Sequence, residues 1–141
     1  MNLEKRIDQT RSQHEKKWGS EDWIINNDKY CGKRLLLNRG YQCSVHYHEL
    51  KEETFYINKG LVLLQVGTER VLMKPGQSLE IRPGERHRFI GITDAEIIEF
   101  STKHMEDDSH RETQSGKVID EIFNGFLAEY TIEIAKHEVK G

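Results

Sequence analysis

The stretch that decides the fold is HYHELKEETFYINKG, residues 46–60. His46 and His48 stand two apart in the alternating run QCSVHYH. Side chains two apart on a strand share a face, so both imidazoles converge on one point. After a short polar gap Glu53 opens a second run, ETFYIN, in which Glu53, Phe55 and Ile57 share a face. Gly60 ends that run at a place suited to a sharp turn. Two strands joined by a turn thus bring two imidazoles and a carboxylate together. Downstream, IRPGERHRF offers a fourth donor: Pro83-Gly84 reads as a turn and His87 opens the next β-like run. Three histidines and a glutamate form a mixed nitrogen and oxygen set suited to a divalent first-row transition metal. Paired histidines are often only hydrogen-bonded, and the chain has seven histidines. A four-donor set in this order, with glycines at both turns, favours the metal.

Outward from this stretch the chain is a succession of short β-like runs: DWIINN, KRLLLN, QCSVHYH, ETFYIN, LVLLQV, ERVLM, SLEIR, HRFIGI and EIIEFST. Turn signals separate most of them, among them Asn38-Arg39-Gly40, Gly67, Pro75-Gly76 and Thr93-Asp94. Many short strands at regular spacing predict an antiparallel sandwich or barrel. The tail changes character. In VIDEIFNGFLAEYTIEIAKHEVKG, residues Ile119, Ile122, Phe123, Phe126, Leu127, Tyr130 and Ile134 recur at three- and four-residue steps, one face of an amphipathic helix. That face serves packing on its own barrel, a dimer contact or a lid, the first two being favoured. Residues 1–17 are polar and fit a short helix or a frayed arm. The expected organisation is an arm over 1–17, a barrel over 18–112 and a helical extension over 113–141.

Composition bounds the rest. A chain of 141 residues suits one domain. A net charge of −3 gives no electrostatic case for nucleic acid or an anionic membrane. MNLEKRIDQTRSQHEKK holds no apolar stretch, and no run approaches membrane-spanning length, so a cytoplasmic protein is expected. Cys31 and Cys43 make neither a disulfide framework nor a zinc spacing, and reduced buried thiols are expected.

At these residues the chain resembles a known family. Gly40, five residues, His46-x-His48, four residues, Glu53, six residues and Gly60 is like the first motif of the cupin superfamily. Gly76 followed by Pro83-Gly84-x-x-His87 is similar to the second, with Gly76 one residue further from the Pro-Gly pair and Gly91 where many cupins carry Asn. The resemblance implies an all-β, cupin-type jelly-roll barrel with the amphipathic helix appended. It also implies one divalent transition metal (Mn, Fe, Zn, Ni or Co) held by His46, His48, Glu53 and His87. Small cupins are commonly homodimers.

Two further features point to carbohydrate chemistry. Lys51 makes the pattern His-x-His-x-x-Lys-x-Glu, which resembles the metal motif of the cupin D-lyxose isomerases. It also resembles the cupin domain of type II phosphomannose isomerases, where an arginine sits near this position and a glutamine stands in place of His46. EIIEFSTKHMEDDSHR, residues 96–111, is similar to the end of that domain, particularly Glu106-Asp107-Asp108-x-x-Arg111. The resemblance implies an aldose–ketose isomerase acting on a sugar or sugar phosphate through a metal-stabilised enediolate. Such a reaction needs a Lewis acid and a proton shuttle. Lys51 and Glu99 are the expected catalytic residues. Alternation in EIIEFST puts Ile97, Glu99 and Ser101 on one face, and either face could point inward. Arg111 would close one barrel end or grip a phosphate. His104 and His110, in loop-like context, are not expected to bind a second metal. A non-haem iron oxygenase and a non-catalytic sugar-binding or sensory cupin remain the alternative classes.

Overall fold

The computed structural model describes residues 1–140; Gly141, the end of the expected extension, lies outside the described residues. A 3-10 turn at Leu3–Arg6 precedes β1 (Ser12–Lys16) and β2 (Gly19–Asn26). Then follow β3 (Cys31–Leu37), β4 (Tyr41–Gln42), β5 (His46–Tyr47), β6 (Glu53–Lys59), β7 (Val62–Val66) and β8 (Glu69–Met73). The barrel strands β9 (Ser78–Ile81), β10 (His87–Gly91) and β11 (Ala95–Ser101) come next. A 3-10 turn at Glu106–Asp108, the short β12 (His110–Arg111) and β13 (Gly116–Lys117), and helices α1 (Asp120–Glu129) and α2 (Thr131–Lys140) complete the described chain.

Two antiparallel sheets face each other as a jelly-roll barrel. One runs β1-β2-β3-β11-β6-β9; the other runs β12-β5-β10-β4-β13, with β7 on β10 and β8 on β7. Alternation works as expected in β3, where Cys31, Lys33, Leu35 and Leu37 are buried. It works again in β6, where Glu53, Phe55 and Ile57 are buried. Inside the barrel Leu35, Leu37, Phe55, Ile57, Val62, Leu64, Phe89 and Ile97 form one apolar cluster. Each such side chain contributes about 1.5–3 kcal/mol on burial.

The run LVLLQV does not alternate because its sheet is covered on both sides. Val62 and Leu64 face the barrel interior, whereas Leu61 and Leu63 join Ile90 and Ile92 in a second cluster under Phe123 and Phe126 of α1. Of the tail's apolar stripe, Phe123, Phe126, Leu127, Tyr130 and Ile134 therefore pack on the barrel, while Ile119 and Ile122 are exposed. The single expected helix is two, with Tyr130 between them and Thr131 Oγ1 donating to the Leu127 and Ala128 carbonyls.

Three other details differ from the sequence reading. Residues 12–16 form an edge strand on β2 within the expected arm. QCSVHYH is two short strands, because the Ser44 carbonyl is turned to accept from His46 Nδ1 and Val45 is held by Thr113 and Glu112. β12 and β13, which no alternation marks in the sequence, pair with β5 and β4. Gly60 behaves as its turn requires: its φ is +82°, and a Cβ there would stand 2.2 Å from the Asp94 carbonyl oxygen. No described helix is long and apolar enough to cross a membrane.

Candidate metal centre

The end of β5, the start of β6 and the start of β10 meet at one end of the barrel. His46 and His87 are register partners across β5 and β10. One donor atom from each of His46, His48, Glu53 and His87 lies within 4.8 Å of the others. Each imidazole has its Nδ1 beside a backbone carbonyl: His46 with Ser44 at 2.9 Å, His48 with Asp108 at 3.1 Å and His87 with Glu85 at 2.9 Å. A carbonyl only accepts, so Nδ1 carries the proton in all three rings and Nε2 presents a lone pair to the centre. That is the arrangement in which a carbonyl orients a metal-binding imidazole.

The donor set fits a divalent cation by a specific test. Glu53 Oε1 and His87 Nε2 are buried without a hydrogen-bond partner among the described residues, yet they face each other at 2.9 Å. Two acceptors so close repel unless they share a positive charge, which a bound divalent ion or a proton would supply. Burial, aided by neighbouring positive charge, pushes His46 down to about 3 and His48 to about 4, which keeps both neutral and able to ligate.

Next to this cluster sits a web of buried charge. Lys51 Nζ contacts Glu53 Oε2 at 3.1 Å, Glu99 Oε2 at 3.1 Å and His104 Nδ1 at 3.0 Å, so its three protons have three acceptors. Burial alone would depress the Lys51 ammonium, but Glu99 and Glu53 outweigh it and hold the pKa above its ordinary range. Burial likewise works against ionised Glu99, yet Lys51, Lys33 and Ser101 hold that carboxyl well below the usual range. Of the two faces open for EIIEFST, the one carrying Glu99 points into the cavity. Glu96 is buried on the opposite face beside Arg34.

Asp108 explains why the acidic run matters. Its carboxylate accepts from the backbone N–H groups of Glu49, Leu50 and Lys51, and its carbonyl accepts from His48. One side chain thereby fixes the loop that separates His48 from Glu53. Arg111 lies at the cavity mouth, 3.4 Å from Glu106.

Lys33 is not marked by the sequence, and His104 reads there only as a loop residue. His104 is buried: its Nδ1 accepts from Lys51, so Nε2 carries the proton and donates to Glu106 Oε1 at 3.0 Å. Asn26 pins its backbone from both sides, donating to the His104 carbonyl and accepting from its N–H. Nothing local in KHMEDD announces this, since the partners come from other parts of the chain. Lys33 did leave a signal: it shares the inward face of β3 with Leu35 and Leu37. The cavity bounded by these groups has a volume of about 510 Å³. Trp18, Leu35, Cys43, Phe55 and Phe89 form its apolar wall.

A double-sheet barrel with this donor cluster inside one end is the architecture of a cupin, and residues 34–101 match the family model described as Cupin domain. Residues 34–101 are thus similar to a cupin domain, and the fold is of the cupin type. It is similar to the D-lyxose/D-mannose isomerase of Thermosediminibacter oceani, at 27% identity over 112 residues covering 60% of this chain and 62% of that protein. The chain therefore spans less than two-thirds of the length of that curated relative. Among solved structures it is similar to an RmlC-like cupin from Shewanella frigidimarina, with a TM-score of 0.63 and 16% identity, covering 70% of this chain and 88% of that one. Streptomyces Pac13, a nucleoside dehydratase, superposes with a TM-score of 0.65 at 11% identity, covering 79% and 89%. At these identities the two structures speak for the shared fold alone.

Proposed function

We propose that this cupin is a metal-dependent aldose–ketose isomerase of a sugar or sugar phosphate, with His46, His48, Glu53 and His87 as the metal ligands. The observation that carries the reading is the Lys51 ammonium set between Glu53 and Glu99, 3.1 Å from each, on the wall beside the donor cluster. When bound, a divalent ion there supplies Lewis acidity toward a carbonyl and its neighbouring hydroxyl.

The protein's own groups divide the remaining work. Glu99 is ionised and accepts the proton that leaves one carbon, then returns it to the adjacent carbon, while the neighbouring hydroxyl's proton passes to the former carbonyl oxygen. Lys51 stays charged, so it offsets negative charge developing on a substrate oxygen instead of acting as the base. Its bond to Glu53 Oε2 also leaves Oε1 as the oxygen turned to the imidazoles. The apolar wall of Trp18, Phe55 and Phe89 keeps water from the reacting carbons. The similarity to a D-lyxose/D-mannose isomerase supports the reaction class. A cytoplasmic homodimer belongs to the same proposal.

The test is elemental analysis of purified protein, then assays with Mn, Fe, Zn, Ni or Co on free aldoses and aldose phosphates. About one equivalent of metal together with ketose formation supports the reading. Oxygen uptake by ferrous protein without ketose moves it to an oxygenase. A protein that folds without metal and ignores added metal makes it a binding module.

A further inference from the structure

Strand register builds a second feature on the cavity wall. Trp23 on β2 is opposite Lys33 on β3, Lys33 is opposite Glu99 on β11, and Glu99 is opposite Phe55 on β6. Lys33 is 2% exposed, and its side chain lies on the cavity wall. Its ammonium is far less satisfied than that of Lys51. Its contacts are Glu21 Oε1 at 3.5 Å, the long end of hydrogen-bonding range, and the face of Trp23 at 4.2 Å. Glu21 Oε1 is already engaged by Trp23 Nε1 at 2.7 Å, leaving Oε2 as that carboxylate's other acceptor. Glu21 also lines the cavity.

A buried ammonium with loosely met donors is costly unless something else accepts from it. We infer that Glu21 and Lys33 form a distal subsite that recognises two neighbouring hydroxyl groups of an uncharged polyhydroxylated substrate, Lys33 donating to one oxygen and Glu21 accepting from the other. The charge around the pair argues against a phosphate. An anion at Lys33 would stand beside Glu21 and next to Glu99 in register, both carboxylates. Lys33 lies two strand spacings, about 10 Å, from the strand that carries Glu53. A five- or six-carbon sugar fits that span, with its reacting end at the imidazoles and its far hydroxyls at Glu21 and Lys33. The inference rests on the isomerase reading only for which end of the sugar reacts.

The test uses the metal-loaded full chain with Lys33→Met and the near-isosteric Glu21→Gln, each checked for metal content and unfolding temperature. D-Mannitol, which carries the hydroxyls but no reactive carbonyl, is titrated by calorimetry. Wild-type binding weakened about tenfold or more in both variants is expected. In turnover, Glu21→Gln, which leaves the ammonium beside Glu99 in place, should raise KM for D-mannose by a similar factor with little change in kcat. Kinetics of Glu21→Gln on D-glyceraldehyde, too short to reach the subsite, should stay as in the wild type. Mannitol binding that the variants leave unchanged, or that wild-type protein lacks, overturns the subsite. So does an equal loss on D-mannose and D-glyceraldehyde in Glu21→Gln, or D-mannose 6-phosphate bound more tightly than D-mannose through Lys33. Mannitol binding lost in the variants, with no aldose turned over by the wild type, keeps the subsite and removes the isomerase.

Discussion

The two walls at the polar end of the barrel are both buried and both charged or chargeable, but they balance differently. On the imidazole side, Glu53 Oε1 and His87 Nε2 face each other without hydrogen-bond partners among the described residues. On the ammonium side, Lys51 has three acceptors around three donors, and Asp108 meets three backbone N–H groups. One wall is short of a cation; the other supplies its own. The contrast teaches that buried polarity alone does not identify a ligand site. An unmet donor or acceptor does, because leaving it unmet costs more than its bond would gain.

The largest effect should come from the unmet wall. His48→Ala should remove most of the bound metal, read as a fall from about one equivalent toward none by elemental analysis. Metal retained after loss of both His46 and His48 would place the centre elsewhere. Lys51→Met attacks the satisfied wall and leaves Glu53 and Glu99 as buried carboxylates without their shared counter-charge. It should cost about 3–5 kcal/mol in urea unfolding, since breaking a buried pair strands the partner. A cost below about 1 kcal/mol would mean the ammonium is not holding that wall together.

A third change sharpens the comparison by leaving both walls alone. Phe123→Ala empties the contact between α1 and the second sheet, and should cost about 3 kcal/mol while metal content stays at the wild-type value. Metal lost in step with stability would show that the helix shapes the site. The smallest effect is expected with acid. Burial raises the Glu106 carboxyl, but His104 and Arg111 outweigh it and bring it down to about 2. Because the folded form then binds fewer protons than the unfolded one, its contribution is complete above the ordinary value of 4.5 and is lost as pH falls toward about 2. Glu106→Gln should flatten that part of the stability–pH curve, measured by thermal unfolding between those limits.

How far the site was legible follows from distance along the chain. His46, His48 and Glu53 fall within eight residues, so the period of two on a strand predicts their convergence. His87 followed from its turn. The inward face of β11 is open to two readings in the sequence because alternation puts a glutamate on each face of EIIEFST; in the fold both are buried, Glu96 beside Arg34 and Glu99 beside Lys51. His104 reads as a loop residue in the sequence, since its burial depends on Asn26, 78 positions away.

The sequence by itself determined the antiparallel β character of the body, the convergence of His46, His48 and Glu53 with His87 after its turn, and the amphipathic tail, because each is written in spacing over a few residues. Only the tertiary structure decided that the tail covers its own second sheet, that Asp108 ties the loop between two donors, and that Lys33, Glu99, Lys51 and His104 share one cavity wall. Those facts depend on the register between strands far apart in the chain, and register is set by which whole faces must be buried together.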